Sequence, residues 1–232
     1  MPLEGFDVRG AVVVGATGTL VWDTLSRPED MQPAIPLMKG PITVAYSHAD
    51  WDHVGGTGGL EGVAAVVAHA WCAVRFADDV PRILERMRDT EPHRWGDVAL
   101  VPPTLTFTDV LELDLGGVSV VLRPLPGHTP DSVVALLPEM GVLLAGDAVE
   151  APLPTVERIE ALPAWVAALD AWGQDPRVDT VVPGHGPIGG PELLADTAGY
   201  LRGLLAGNRD APADMTPFYQ DVHAANLRLA RG

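Results

Sequence analysis

The chain has 232 residues, 47% of them hydrophobic, and a formal net charge of −16. It is long enough to bury a hydrophobic core. With Lys39 as its one lysine it lacks the clustered cations that bind a phosphate backbone, which argues against a nucleic-acid partner. Cys72 has no second cysteine to pair with, the first residues lack a secretory signal, and no apolar run would span a membrane. We therefore expect a cytoplasmic protein that does not contact a membrane.

Two short apolar runs, 11–14 and 19–22, predict strands joined by a glycine-containing turn at 15–18. The turn resembles part of a dinucleotide-binding loop. That loop needs a third glycine near the position of Val21 and a helix directly after it, and both are missing. We therefore predict a β-hairpin and no nucleotide.

The next apolar run, 42–46, is followed at once by a dense group of polar side chains. Residues 26–40 carry three prolines and predict a loop or short helix before it. After the run come His48, Asp50, Asp52 and His53, all within six residues. Imidazole and carboxylate are the usual non-thiol ligands of divalent metals. Four such side chains in one turn can serve two ions.

Three further candidate ligands follow the apolar runs 118–122, 142–145 and 178–182. They are His128, Asp147 and His185, and each has a glycine beside it, which allows a sharp turn or a close approach of the backbone. Histidine or aspartate at four strand ends indicates one shared metal site.

In this order and spacing the ligands resemble the metallo-β-lactamase fold superfamily, and in particular its glyoxalase II-type hydrolases. The resemblance covers nearly the whole chain. It implies an α/β fold, a four-layer αβ/βα sandwich of two mixed sheets flanked by helices, as one domain over 1–232. It also implies a first metal held by His48, Asp50 and His128, a second held by Asp52, His53 and His185, and Asp147 bridging the two.

Asp50 departs from the motif of that superfamily, which has a second histidine at this position. A carboxylate is a harder ligand than imidazole and adds a negative charge. We expect it to make a water on the first metal less acidic and to shift the preference toward manganese or iron, although two zinc ions are the first expectation. Alternatively, Asp50 weakens metal binding at the first position so far that only the second position holds an ion.

The remaining segments predict further elements around these ligands. Residues 63–68 predict a strand, with His69 after it as a strand-end or ligand-supporting residue, and 71–89 predict a helix broken near Pro81. Residues 90–103 predict a loop that either overhangs the site or anchors itself through Trp95. Predicted strands follow at 106–115, 118–122, 132–137 and 142–145, and predicted helices at 154–172, 192–205 and 216–229, the last with His223 on the surface.

The site predicts a hydrolase that uses a metal-bound hydroxide on a small ester, thioester or lactone. Asp52 would orient the attacking water or pass a proton to the leaving group. Asp147 stands where true metallo-β-lactamases of two classes carry a cysteine, so a β-lactam is not expected. The alternatives are a small phosphoesterase, a mononuclear iron oxidoreductase resembling the persulfide dioxygenases, and a metal-binding protein without catalysis.

Substrate contacts are expected from Trp51 and from the loop that carries His93 and Trp95, with Arg94 as an isolated cation. Catalytic groups on strand-end loops share one rim of the sheet, so these residues would form the pocket walls. The partner is then a small, neutral or mono-anionic molecule, since a strongly acidic chain repels polyanions.

Overall fold

The computed structural model describes residues 5–208, 210–213 and 215–231, which form two five-stranded sheets. The first sheet is built from the N-terminal half of the chain and the second from the following half. The strands are β1 Ala11–Val14, β2 Thr19–Trp22, β3 Ile42–Ala45, β4 Val63–His69, β5 Leu105–Phe107, β6 Leu111–Asp114, β7 Ser119–Pro124, β8 Val133–Leu137, β9 Val142–Glu150 and β10 Thr180–His185.

Both sheets are mixed. The first has the order β1-β2-β3-β4-β5, with β1 antiparallel to β2 and parallel pairing from β2 to β5. The second has the order β10-β9-β8-β7-β6, antiparallel except for the pair β9 and β10. Parallel neighbours end at the same edge of a sheet, so β3 in one sheet and β9 with β10 in the other can deliver side chains to a common rim.

The helices cover the outer faces of the two sheets. Two short 3-10 turns, Pro28–Met31 and Ile35–Leu37, precede β3, and two more lie at Thr57–Gly59 and Ile159–Ala161. None of the helices in the described part of the chain has both the length and the apolar character needed to cross a membrane. The helices are α1 Trp51–Val54, α2 Ala70–Ala77, α3 Asp79–Thr90, α4 Pro92–Trp95, α5 Leu162–Gly173, α6 Glu192–Leu205 and α7 Pro217–Leu229.

Three apolar layers hold this arrangement together. Side chains such as Trp22 and Leu144 fill the space between the two sheets. Tyr46 and Phe76 belong to the layer between the first sheet and α2 with α3. Trp165 belongs to the layer between the second sheet and α5 with α6. The order helix, sheet, sheet, helix confirms the predicted four-layer α/β sandwich.

Most predicted strands are present, but one prediction was wrong. The run 106–115 is not a single strand: it divides into β5 and β6, which belong to different sheets. The chain bends at Thr108 and Asp109 and crosses from one sheet to the other. An alternating apolar pattern cannot reveal this, because both halves show the same periodicity.

The helix predicted over 192–205 matches α6, and the one predicted over 216–229 begins one residue later, at Pro217. The other two helix predictions were correct in place but not in their bounds. The break in 71–89 falls at Asp78, whose φ of −122° and ψ of −84° are not helical, and Pro81 sits in the first turn of α3, where its missing N–H does no harm. The helix predicted over 154–172 begins only at Leu162. His223 was predicted on the surface, but it is buried and bonds the hydroxyl of Tyr200 through Nδ1, 2.9 Å away.

Candidate metal centre

The motif that follows β3 turns straight into the short helix α1. Asp50 is the residue before this helix, and its side chain makes no capping hydrogen bond to the helix backbone, so the carboxylate is available elsewhere. Asp52 and His53 lie on α1 and are buried, as is His48. The turn therefore directs His48, Asp52 and His53 away from solvent and leaves Asp50 partly exposed.

The other three predicted ligands reach the same place from the second sheet. His128 lies in the turn between β7 and β8, His185 is the last residue of β10, and Asp147 is on the adjacent strand β9. Asp147 was predicted to follow its strand, but β9 continues past it to Glu150. Gly184 makes room for it, since a Cβ at that position would lie 1.9 Å from Oδ1 of Asp147.

The first group of side chains consists of His48, Asp50, His128 and Asp147. The Nε2 atoms of the two histidines lie 3.4 and 3.2 Å from Oδ2 of Asp50. They lie 3.7 and 3.6 Å from Oδ2 of Asp147. Two imidazoles and two carboxylates thus face one point.

The second group consists of Asp52, His53, His185 and the same Asp147. Oδ2 of Asp52 lies 3.7 Å from Nε2 of His53 and 3.6 Å from Nε2 of His185. Asp147 approaches those two nitrogens to 3.1 Å, with Oδ1 toward His53 and Oδ2 toward His185. Asp147 therefore lies between the two groups and contacts both.

Every imidazole of the centre is oriented by a partner on its other nitrogen. Nδ1 of His53 donates to Oδ2 of Asp23, and Nδ1 of His128 donates to the carbonyl of Thr155. Such partners fix the tautomer and direct Nε2 toward a metal. The four Nδ1 distances are 2.9 Å from His48 to Oγ of Ser47, 2.9 Å from His53 to Asp23, 3.0 Å from His128 to Thr155 and 2.5 Å from His185 to the carbonyl of Asp7.

Three buried atoms in the centre lack a hydrogen-bond partner: Nε2 of His48, Nε2 of His53 and Oδ1 of Asp147. A buried polar atom without a partner is costly, so its presence needs a reason. An ion with bonds of about 2.0–2.1 Å in tetrahedral geometry places its ligand atoms about 3.4 Å apart. The histidine nitrogens and carboxylate oxygens of the centre are 3.1–3.7 Å apart, close to this spacing. The donor set and its spacing fit divalent metal ions.

Comparison with known proteins places this centre in a family. The family model described as the metallo-beta-lactamase superfamily matches residues 6–185, which include all seven side chains. The chain belongs to the metallo-beta-lactamase superfamily.

Several known proteins match part or all of the chain. A linear primary-alkylsulfatase from Pseudomonas sp. (strain ATCC 19151) is 30% identical over 118 residues, which is 48% of this chain and only 22% of that protein. A superfamily protein from the archaeon Sulfolobus tokodaii superposes with a TM-score of 0.67 at 16% identity over 99% of both chains. A metallo-beta-lactamase from Pseudomonas aeruginosa in its mono-zinc form superposes with a TM-score of 0.61 at 22% identity, over 84% of this chain and 83% of that chain. At such identities the solved structures show the fold.

Three residues that sequence reasoning missed support the centre of this superfamily member. Asp23 accepts hydrogen bonds from the backbone N–H and the hydroxyl of Ser47, both at 2.7 Å, as well as from His53. Arg75 on α2 lies 2.7 Å from Oδ1 of Asp50. Glu150, at the end of β9, is buried and accepts a hydrogen bond from the backbone of Thr155. None of these three has a sequence signal beyond its residue type.

The carboxylates govern the charge state of the metal-free centre. Burial lowers the pKa of His185, but Asp147 outweighs it and raises that pKa to about 9. The pKa values of His53 and His128 are raised in the same sense, well above 6.5. Burial raises the pKa of Asp147, yet the surrounding histidines hold it well below 3.8. In the metal-free centre the carboxylates thus favour the protonated form of His53, His128 and His185.

These shifts predict how the stability of the metal-free protein depends on pH. A raised histidine pKa stabilises the fold fully below the unfolded value of 6.5, and that stabilisation is lost as pH rises through about 9 at His185. In the presence of a chelator, we expect the melting temperature to decrease as the pH is raised from 6.5 to about 9. In the metal-loaded protein we expect the melting temperature not to depend on pH in this way. Thermal unfolding by circular dichroism measures both, and a metal-free protein that is equally stable across the window would contradict the assignment.

A pocket of about 190 Å³ opens onto the centre. Phe6, Trp51 and Phe218 supply an aromatic wall, in which Phe6 stacks on Phe218 with ring centroids 4.5 Å apart. Glu150 and Glu157 add two carboxylates, and the described residues that line the pocket include no lysine or arginine. The walls outside the metal ligands are therefore aromatic and acidic.

The structure places the predicted loop wall differently. Trp95 is buried behind Trp51, with ring centroids 5.1 Å apart, and so supports the wall without lining the pocket. His93 is exposed, and Arg94 lies over the ring of Trp95. His69 caps α2 by accepting from the backbone of Trp71, and burial raises the pKa of the Cys72 thiol. Trp51 is therefore in the wall as predicted, whereas the side chains of Trp95, His93 and Arg94, like those of His69 and Cys72, do not line this pocket.

Proposed function

We propose that the protein is a metal-dependent hydrolase with a dinuclear centre that cleaves a small ester, thioester or lactone. The observation that carries this proposal is the convergence of the seven predicted ligands, with Nε2 of His48 and of His53 buried, close to carboxylate oxygens and without a hydrogen bond. The first metal would be held by His48, Asp50 and His128, the second by Asp52, His53 and His185, and Asp147 would bridge them.

Two divalent ions would supply Lewis acidity and a water acidified toward neutral pH. Each half of the centre offers two imidazoles, one carboxylate of its own and the shared Asp147, a donor set suited to zinc and also to manganese or iron. The mono-zinc form of the similar lactamase adds support for zinc.

Asp52 is the candidate proton-transfer residue of this centre. Its carboxylate is nearly buried, and it lines the pocket as well as approaching His53 and His185. From this position it can accept a proton from the attacking water and return it to the leaving group. A buried carboxylate between two imidazoles also has little freedom to rotate away, which favours orientation of the nucleophile.

The substrate inferred for this site is neutral. The aromatic wall of Phe6, Trp51 and Phe218 favours an apolar acyl or alcohol group, and Glu150 and Glu157 disfavour an anion. A sulfate ester is the second candidate, because the curated relative is an alkylsulfatase. It requires the metals alone to attract the sulfate, since the pocket-lining residues that the structure describes include no arginine or lysine.

The test combines metal analysis with a substrate panel. Protein purified without added metal is analysed by mass spectrometry, and then assayed with zinc, manganese and iron(II) in turn on aryl esters, a thioester, a lactone, an alkyl sulfate, a bis-aryl phosphodiester and an oligonucleotide. We expect two metals per chain and the highest kcat/KM on a neutral carbonyl ester. A single iron with no hydrolysis would favour oxygen chemistry, no metal would favour a protein without catalysis, and faster cleavage of the sulfate or phosphate esters would refute the substrate class.

A matched pair of variants tests the acidic wall. Glu157→Gln removes one pocket charge, so we expect kcat/KM for the alkyl sulfate to rise about two- to fivefold relative to a neutral ester, as for a partly exposed charge. Glu160→Gln is the control, since Glu160 is exposed and paired with Arg158 outside the pocket. Equal effects of the two changes would mean that Glu157 does not influence the choice of substrate.

A further inference from the structure

Arg75 connects three carboxylates next to the first half of the centre. Its guanidinium lies 2.7 Å from Oδ1 of Asp50, 3.0 Å from Oδ2 of Asp79 and 3.2 Å from Oδ1 of Asp131. Asp50 comes from the motif turn, Asp131 from the loop that carries His128, and Asp79 from the start of α3. One side chain on α2 thus joins the two loops that supply ligands to the first metal.

The two carboxylate oxygens of Asp50 have different partners. Oδ1 faces Arg75, while Oδ2 faces Nε2 of His48 and of His128 at 3.4 and 3.2 Å. An aspartate that is free to rotate about its side-chain bonds would present either oxygen, or both. Held by Arg75, it presents one oxygen and has part of its negative charge compensated.

This pairing gives a physical reason for the carboxylate where the superfamily motif has an imidazole. A neutral histidine needs no cation beside it, whereas a partly buried carboxylate that faces a second carboxylate is stabilised by one. We propose that Arg75 is a positioning residue that fixes Asp50 as a one-oxygen ligand and thereby sets the affinity of the first half of the centre for metal. The proposal rests on the proposed function, in which Asp50 binds the first metal.

A purely structural role for Arg75 makes a different prediction. Asp131 is completely buried, and Oδ2 of its carboxylate lacks a hydrogen-bond partner, so loss of the arginine would also leave a buried charge unpaired. That effect would weaken the fold as a whole and both metal positions alike. A positioning role weakens the first position and spares the second, because Arg75 contacts none of Asp52, His53 and His185.

The experiment isolates each position by removing a ligand of the other. His185→Ala leaves the first position, and His48→Ala leaves the second. In each background two proteins are compared, one with Asp131→Asn alone and one with Asp131→Asn and Arg75→Gln together. The Asp131 change removes the buried charge from both proteins, so that they differ only at Arg75. Their zinc dissociation constants are measured by competition with a chromophoric chelator. We expect the arginine change to weaken zinc binding about tenfold or more in the His185→Ala background and less than about twofold in the His48→Ala background.

Two further variants distinguish a specific effect of Arg75 from a general effect of losing an arginine or from misfolding. Arg82→Gln, which loses an exposed pair with Asp78 on the same side of the molecule, should change neither constant. Arg75→Lys gives a second variant if the glutamine protein does not fold, and it should also weaken the first position because one ammonium group cannot hold three carboxylates in this geometry. Unchanged zinc binding at the first position, or equal weakening at both, would overturn the proposal. Absence of zinc binding in both parent backgrounds and in the unchanged protein would instead refute the metal centre itself.

Discussion

Replacing Asp147 by alanine is expected to remove both metal ions and nearly all hydrolytic activity. Asp147 contacts both groups of ligands, at 3.6–3.7 Å in the first and 3.1 Å in the second, so its loss opens both coordination shells. Metals stabilise the transition state by several kcal/mol, which corresponds to a rate loss of at least ~10³-fold. Metal content by mass spectrometry and kcat/KM on the best substrate of the panel measure the two effects.

Cys72→Ala is the control for this change. Cys72 is also fully buried, but it belongs to the apolar layer around α2, so the substitution alters the core without altering the centre. We expect its metal content and kcat/KM to match those of the unchanged protein. Two tightly bound metals in the Asp147→Ala protein would show that Asp147 does not bridge them.

Asp23→Ala is expected to have the second large effect, on the fold and on the second metal position together. It leaves the backbone N–H of Ser47 and Nδ1 of His53 without their acceptor in a fully buried place. Unpaired buried groups of this kind cost about 2–4 kcal/mol in the free energy of unfolding. Because His53 would lose the partner that orients it, the affinity for the second metal should also fall about 10- to 100-fold.

Asp23→Asn is the matched variant, because it keeps an acceptor oxygen and tolerates the positive φ of 53° at this position. It should retain most of the stability in chemical denaturation of the metal-free protein, while its metal affinity falls to an intermediate value. If Asp23→Ala unfolds at the same denaturant concentration as the unchanged protein and binds zinc equally well, the supporting role of Asp23 is wrong.

The seven candidate ligands could be found from sequence because four lie within six residues after one apolar run, and each of the other three follows an apolar run and adjoins a glycine. Functional side chains on strand-end loops tend to share one rim of a fold, so His128 and His185 could be expected near the motif turn without knowledge of any distance, although they come from the other sheet. The four-layer fold followed from the resemblance, and the layers of core side chains agree with it. Strand bounds near the centre were less accurate, since Asp147 lies inside β9.

The supporting residues could not be predicted, because their contacts join distant parts of the chain. Arg75 and Asp79 are four residues apart and suggest an ordinary pair along one helix, although a break separates α2 from α3. The contact of Arg75 with Asp131 spans 56 residues, and that of Asp23 with His53 spans 30. A charge pattern along the sequence contains no information on such partners.

The segment before β1 has a practical consequence for handling the protein. The carbonyl of Asp7 orients His185, and Phe6 forms part of the pocket wall, so the backbone at Phe6 lies beside the entrance. A fusion partner or affinity label there would compete with the substrate for space and could pull on a ligand. Helix α7 has Phe218 in the wall at its first turn, but its last turn lies roughly 17 Å farther along the axis. Labels for immobilisation or purification are best attached after that helix.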